Sequence, residues 1–208
     1  MKGLILKDIY NLRKYGKTLF LIAALYFMLS FMLDDADIFV GMIVIMFAIT
    51  TVTSFAYDNQ SGWDVYVNTM PVSRKDVVLS KYLLSLLLVL AGGVLAVLMG
   101  WLGGLVRNVG NFSQTLVTAY ALCAAGLLFV SILLPLVYKF GVERSRVIII
   151  AVVAIPVAAG VAMSQAGGLP QISEQTIRQA LLLSPFVVAA CFVLSFAVSC
   201  AVYRKKEA

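Results

Sequence analysis

The sequence has 208 residues, of which 62% are hydrophobic and only 12% are charged. An ordinary soluble domain carries about 25% charged residues, so this composition excludes a typical water-soluble protein and indicates a chain surrounded by lipid. The net charge of +6 could suggest a nucleic-acid partner, but the positions of the charges, given below, favour no nucleic acid. The sequence contains no histidine, which removes the usual general base and the commonest transition-metal ligand and weakens any enzyme interpretation.

Six segments without charged residues are long enough, with their flanks, to cross a bilayer core of about 30 Å as helices. They cover residues 18–33, 38–57, 82–106, 108–138, 147–173 and 179–203. The fourth and fifth segments each include a loop, and residues 139–146 between them form a short basic elbow. We therefore predict an all-α integral membrane fold with six transmembrane helices in a single transmembrane domain, 1–208.

The basic residues predict the orientation of these spans. All but two of the 16 lysines and arginines fall on one side of the membrane in this topology, the exceptions being Arg107 and Arg178. By the positive-inside rule, both termini are cytoplasmic. Interfacial aromatic residues are expected at helix ends, and four tyrosines fall at the inner ends: Tyr57, Tyr82, Tyr138 and Tyr203.

The N-terminal residues 1–16 are basic and amphipathic. Apolar residues such as Ile9 and Leu12 recur at three- and four-residue steps, while Lys7 and other lysines lie largely on the opposite side. This pattern predicts an interfacial helix in the cytoplasmic headgroup layer that turns into the first span at Gly16. It could serve only as a basic anchor, or as an elbow helix that moves with a cytoplasmic partner.

An acidic turn, Asp34-Asp35-Ala36-Asp37, joins the first two spans. It is short enough to make these spans a tight antiparallel hairpin. Its three carboxylates could coordinate a hard cation such as Ca²⁺, or they could simply be solvated at the outer surface. We predict the solvated turn and no metal site, and the cation alternative stays open.

The third span is rich in glycine, with Gly92, Gly93, Gly100 and Gly104 among its residues. The last two form a G-x-x-x-G pattern. Small residues at this spacing let two helix backbones approach closely, within one chain or between two. We therefore predict helix packing at these four positions.

The centres of all six spans lack Asp, Glu, Lys and Arg. Proton- and ion-coupled carriers generally need an ionisable group inside the membrane. This absence disfavours a secondary carrier and suggests that any transport draws its energy from outside the membrane.

The longest predicted cytoplasmic loop, residues 58–81, differs in character from the rest of the chain and is called the connecting segment below. It reads DNQSGWDVYVNTMPVSRKDVVLSK. Ser73 and Asp76 form an S-x-x-D capping arrangement, which satisfies amide groups of a first helical turn. A helix is therefore predicted to begin near Arg74 and to continue into the third span.

The first half of the connecting segment is predicted to form a separate element. Pro71 prevents the helix that follows it from extending backwards, so residues 58–69 should form a short element of their own. Trp63 and Tyr66 lie three residues apart and hence on one face of it. These aromatics and the cations after Pro71 could form a partner surface, or only a capped helix start with interfacial aromatics.

The run SFAYDNQSGWDVYVNTMPVSRKDVVLSKYL resembles the cytoplasmic loop of the small type-2 ATP-binding-cassette (ABC) permeases. This six-span branch includes exporters of phenol-soluble modulins and bacteriocin-like peptides. The family pattern has an acidic residue, then G-W-x-x-Y, then T/S-L-P-V/I-S-R-x-x-I/V-x-x-K-Y, and the chain often opens with M-K-G-L-x-x-K-D. Here the opening is MKGLILKD and Met70 replaces the usual Leu. The pattern is occupied by Asp58, Gly62, Trp63, Tyr66, Pro71, Ser73, Arg74, Lys81 and Tyr82.

The resemblance implies the permease subunit of an ATP-driven ABC exporter in the plasma membrane of a prokaryote. The connecting segment would act as a coupling helix on a separately encoded ATPase, and the implied contact residues are Asp58, Gly62, Trp63, Tyr66, Pro71, Ser73, Arg74 and Lys75. The sequence contains no G-x-x-x-x-G-K-[ST] phosphate loop, so this chain is expected not to be an enzyme, and ATP and Mg²⁺ are expected on the partner. The family works as two permeases with two ATPases, which implies a second copy or a paralogue. The implied substrate is hydrophobic or amphipathic, such as a peptide, toxin or drug.

Two other functions remain open from the sequence. A non-transporting immunity or sensor protein would bind a toxic peptide in the membrane without needing ATP. A passive channel or a secondary carrier is the third alternative, and the missing intramembrane charges disfavour it.

Overall fold

The computed structural model describes residues 2–32, 36–69, 71–107, 112–165 and 174–205. The described part of the chain is entirely helical, as predicted, and we number its helices in chain order. They are α1 (Lys2–Met32), α2 (Ala36–Gln60), α3 (Trp63–Thr69), α4 (Arg74–Arg107), α5 (Phe112–Gln165) and α6 (Glu174–Lys205). The core lies mainly where α4 packs between α2, α5 and α6.

Four helical stretches of the described chain are long and apolar enough to cross a membrane. They are Gly41–Gln60, Arg74–Leu105, Phe112–Ser145 and Gln179–Lys205. They coincide with the second, third, fourth and sixth predicted spans, which confirms a multi-pass membrane protein. Residues 18–32 of the first predicted span lie in α1, and residues 147–165 of the fifth lie in the second part of α5; residues 33 and 166–173 lie outside the described chain. The count of six and the cytoplasmic orientation stay predictions.

Helix α1 runs from Lys2 to Met32 without a break, so the predicted turn at Gly16 is wrong. A glycine inside a helix costs only about 1 kcal/mol relative to alanine. The first half of α1 packs on α2 and α4, with Leu4, Asp8 and Leu12 buried at one-turn intervals. This packing stabilises the helix across Gly16. The location of residues 1–16 in the headgroup layer stays a prediction.

Helix α5 kinks at a single residue, Gly141. Its φ of 77° and ψ of 175° fall in a region that is essentially restricted to glycine. Ser145 lies one turn later, and its Oγ donates a hydrogen bond of 2.5 Å to the Gly141 carbonyl oxygen. The loop predicted over residues 139–146 is therefore a one-residue kink, because glycine allows the chain to change direction without leaving helical structure on either side.

We expect Gly141→Ala to destabilise the protein by about 1–2 kcal/mol, since an L-residue is strained at positive φ. A new Cβ would meet no other atom within 4 Å, so the loss would come from the backbone alone. Thermal unfolding in detergent micelles measures it. Gly16→Ala is the matched control, because that glycine is helical and also has open space around it. Equal unfolding temperatures for the two variants would contradict the assigned backbone strain.

One end of the bundle carries α3, and we call it the loop end. The start of α1 lies there, because Lys7 contacts Asp58 at the end of α2. Asp58 also lines a small cavity together with Gly141 of the α5 kink and Tyr203 near the end of α6. The beginning of α1 and the end of α6 therefore share one end of the bundle, which the predicted topology requires.

Three of the tyrosines predicted as interfacial anchors are instead buried: Tyr82, Tyr138 and Tyr203. The Tyr82 hydroxyl lies 2.6 Å from Ser195 Oγ and 2.8 Å from Ser199 Oγ. Ser195 donates its single proton to the Ser131 carbonyl oxygen at 2.5 Å, so Tyr82 donates to Ser195 and accepts from Ser199. The interfacial expectation is wrong at Tyr82 because its hydroxyl finds partners inside the bundle.

Helix α4 lies very close to two neighbours at adjacent glycines. A Cβ on Gly92 would lie 2.9 Å from Phe47 Cβ of α2, and a Cβ on Gly93 would overlap Cys123 Sγ of α5. The two glycines thus face different helices at points where a larger residue would force a shift. Packing at the G-x-x-x-G pair further along α4 stays a prediction.

Candidate functional site

The connecting segment contains a short separate helix, as predicted, although its start differs. Helix α2 continues to Gln60, so Asp58 belongs to its last turn, and α3 begins only at Trp63. The chain passes between the two helices through Gly62, whose φ of 64° is in the left-handed region that favours glycine. The role of Gly62 in the structure is therefore to form the turn that sets α3 apart from α2.

The second half of the connecting segment folds as the capping pattern predicts. Helix α4 begins at Arg74, and the Ser73 hydroxyl oxygen accepts a hydrogen bond of 3.2 Å from the Asp76 amide. The Ser73 carbonyl oxygen also accepts a hydrogen bond of 3.2 Å from the Val77 amide. Ser73 is thus the N-cap of α4, and Pro71 lies in the link that precedes it.

Four charged side chains at the loop end form a closed ring of alternating charge, which we call the ion ring: Lys7, Asp8, Asp58 and Lys81. Lys7 Nζ lies 2.5 Å from Asp58 Oδ1 and 3.2 Å from Asp8 Oδ1. Lys81 Nζ lies 2.5 Å from Asp58 Oδ2 and 3.0 Å from the same Asp8 oxygen. Their exposed side-chain fractions, in the order Lys7, Asp8, Asp58 and Lys81, are 22%, 1%, 7% and 5%. The ion ring therefore joins α1, α2 and α4 through largely buried ion pairs. Its two positive and two negative side chains give it a formal net charge of zero.

Each ammonium group of the ion ring pairs with both carboxylates and has at least one further partner, and Lys81 Nζ also lies 5.0 Å from the centroid of the Phe55 ring. For Lys81 the third partner is Ser54, whose Oγ accepts a hydrogen bond of 2.7 Å. For Lys7 the third partner is the aromatic ring of Trp63, whose centroid lies 4.0 Å from Nζ. This is a cation–π contact, and it connects the ion ring to the first residue of α3.

The ion ring changes the interpretation of two predicted residues. Asp58 was expected to contact an ATPase, but both of its carboxylate oxygens are engaged by lysines of the same chain. Lys7 was expected on the polar side of an interfacial helix, yet it points into the bundle while Ile9 is exposed. Any effect of Asp58 on a partner would accordingly be indirect in this structure, through the position of α3.

Trp63 is likewise held within the chain. It packs against the main core cluster, and its ring centroid lies 5.5 Å from that of Tyr66. Tyr66, by contrast, is 56% exposed. Within α3, Trp63 therefore anchors the helix and Tyr66 is the aromatic residue available to a partner.

The two cations at the start of α4 are both exposed but differ in their contacts. Arg74 Nη1 donates a hydrogen bond of 3.0 Å to the Arg204 carbonyl oxygen, near the C-terminus of α6, where the helix dipole favours a cation. Lys75 is exposed and has no ion pair in the described part of the chain. Lys75 and Tyr66 are thus the clearest candidates for contact with another protein.

A metal site is not found in the described residues, since they contain no group of three or more Cys, Asp or Glu that could hold an ion. Asp34 and Asp35 of the acidic turn lie outside the described residues. The prediction of a solvated turn there therefore stays a prediction.

Nearly the whole chain matches a known protein family. A family model described as "ABC-2 family transporter protein" matches residues 3–204. No curated protein and no solved structure matches the chain.

Proposed function

Since the chain belongs to the ABC-2 family of transporter proteins, we propose that it is the membrane-spanning permease subunit of an ATP-driven exporter. The family match over residues 3–204 is the observation that carries this proposal. The substrate proposed is a hydrophobic or amphipathic molecule, such as a peptide, toxin or drug, and it leaves the cytoplasm. A separate ATPase binds ATP and Mg²⁺ and supplies the energy.

The ATPase docks on the connecting segment in this proposal. Helix α3 lies within that segment and exposes Tyr66, and the start of α4 exposes the cations Arg74 and Lys75. An exposed aromatic residue and exposed cations on one segment suit a partner surface that offers an apolar pocket and acidic residues. The charge-free centres of the spans support the same proposal, since they contain no ionisable side chain that could bind or relay a coupling ion.

A complete exporter is proposed to contain two permeases and two ATPases. The second permease is either another copy of this chain or a paralogue. The proposed location is the plasma membrane of a prokaryote, with both termini in the cytoplasm.

Tyr66→Ala combined with Lys75→Glu is expected to reduce transport by about tenfold or more, since exposed aromatic and charged residues dominate many interfaces. The permease is co-expressed with the cassette ATPase encoded beside it, purified, and assayed in proteoliposomes for complex yield, ATP hydrolysis and substrate flux. Lys17→Ala, an exposed lysine on α1, is the matched control and should behave like the unmodified protein.

The proposal is wrong if the purified permease binds no ATPase, or if the double variant transports as well as the control. Cells that are protected from a toxic peptide by this chain alone, without any ATPase, would instead support the immunity interpretation.

A further inference from the structure

Lys7 holds both sides of the turn that separates α3 from α2. Its ammonium pairs with Asp58 at 2.5 Å, before Gly62 in the sequence, and lies 4.0 Å from the ring centroid of Trp63, directly after Gly62. Two neighbouring helices that are set at an angle by a glycine turn are thus bridged by one group from a third helix.

The other contacts of the ion ring hold the Lys7 ammonium in this bridging position. Lys7 also forms an ion pair with Asp8 at 3.2 Å, and Asp8 is itself held at 3.0 Å by Lys81 of α4. Because the ion ring is closed and largely buried, the Lys7 ammonium cannot leave Trp63 without also weakening a charge pair. The position of the Trp63 ring is therefore tied to α1.

Apolar packing also holds α3. Val67, one turn after Trp63, is buried, and α3 otherwise packs against α2. Apolar contacts are non-directional and permit small rotations, whereas a cation over a ring face fixes the position of that face. The Lys7 contact thus adds a directional constraint on α3 to this apolar packing.

We infer that Lys7 is a positioning residue for α3, which makes the first half of α1 and α3 move together when an ATPase acts on α3. This inference rests on the proposed function for its role in transport, but the mechanical link between α1 and α3 can be tested without any ATPase. Lys7 acts on α3 through Asp58 and Trp63.

The link is tested by distance measurements between spin labels at Tyr10→Cys and Tyr66→Cys, since both positions are exposed. The three native cysteines, Cys123, Cys191 and Cys200, are first replaced by alanine. Lys7→Met removes the charge and keeps an apolar stem, and it should broaden the distance distribution. Lys7→Arg keeps the charge and the cation–π contact and should leave the distribution narrow.

Two further variants separate positioning from general loss of stability. Trp63→Leu leaves all four charges of the ion ring in place, removes the aromatic ring that contacts Lys7 while keeping an apolar side chain at the core, and should also broaden the distribution. Lys14→Met removes an exposed lysine two turns further along α1 and should change nothing. An unchanged distribution in both Lys7→Met and Trp63→Leu would overturn the inference, even if one of them proved poorly stable.

The consequence for transport is tested in the reconstituted complex with the ATPase. Lys7→Met should lower the substrate moved per ATP by about tenfold, which corresponds to a coupling of about 1.4 kcal/mol. The yield of complex should remain that of the Lys14→Met control, and Lys7→Arg should restore coupling. Normal coupling in Lys7→Met would overturn the role in transport, whereas absence of ATPase binding by the unmodified permease would overturn the proposed function and leave the distance result standing.

Discussion

Replacing Lys81 with methionine is expected to destabilise the protein by about 3–5 kcal/mol, the usual cost of removing one partner from a buried ion pair. The variant would leave Asp8 and Asp58 sharing the single ammonium of Lys7, so the buried cluster would carry a net negative charge. The lost hydrogen bond to Ser54 at 2.7 Å adds to this cost. Unfolding by SDS titration in mixed micelles measures the change.

The charge balance of the ion ring supplies the control for this prediction. The double variant Lys81→Met with Asp8→Asn removes one charge of each sign and should recover a substantial part of the lost stability. Lys75→Met, which removes an exposed lysine from the same helix, should change stability by less than about 0.5 kcal/mol. A double variant that is less stable than Lys81→Met would show that charge balance does not govern this site.

Gly93→Ala is expected to cost up to about 3 kcal/mol, at the upper end for overpacking a well-packed interior. Its new Cβ would overlap Cys123 Sγ, so α4 and α5 would have to move apart or the cysteine would have to leave its rotamer. The result runs against helix propensity, which favours alanine over glycine. Thermal unfolding and the yield of folded protein in detergent both report it.

A second substitution at the point of contact should reverse this loss. Cys123→Ala removes the sulfur, and the nearest remaining side-chain atom, the Cβ of residue 123, lies 4.0 Å from the position that the new alanine methyl would take, which is ordinary contact. The double variant is therefore expected to be more stable than Gly93→Ala alone. Gly103→Ala, at a position of α4 with no atom within 4 Å of a new Cβ, is the control and should be tolerated. A double variant as unstable as the single one would contradict the proposed contact.

Local signals in the sequence predicted several elements well. The Ser73 cap and Pro71 indicated the start of α4 because both act within one turn of the chain. The length of the apolar runs indicated the membrane helices because the thickness of the bilayer sets the length of a span. The turn at Gly16 failed because a local preference of about 1 kcal/mol was outweighed by packing of α1 on α2 and α4. The direction in which a side chain points depended equally on its neighbours, which is why Tyr82 was expected at the interface although it is buried.

The ion ring could not be derived from the sequence. Lys7 is separated from Asp58 by 51 residues, and Asp8 from Lys81 by 73, so their pairing depends on how three helices pack. These charges do fall near predicted inner helix ends, but a lysine there is equally compatible with solvent or headgroups. Only the packed structure distinguishes Lys7 and Lys81, which belong to the ion ring, from Lys75, which is exposed.

The unbroken course of α1 has a mechanical consequence. Its 31 residues give a rod of about 45 Å at 1.5 Å per residue, with Lys7 near one end and the exposed Phe20 and Leu21 beyond its middle. A tilt of about 5° around the ion ring would shift the far end of such a rod by roughly 3–4 Å. A small rotation of α1 at the loop end, where it contacts α3, would thus displace the far end of α1 by several ångströms.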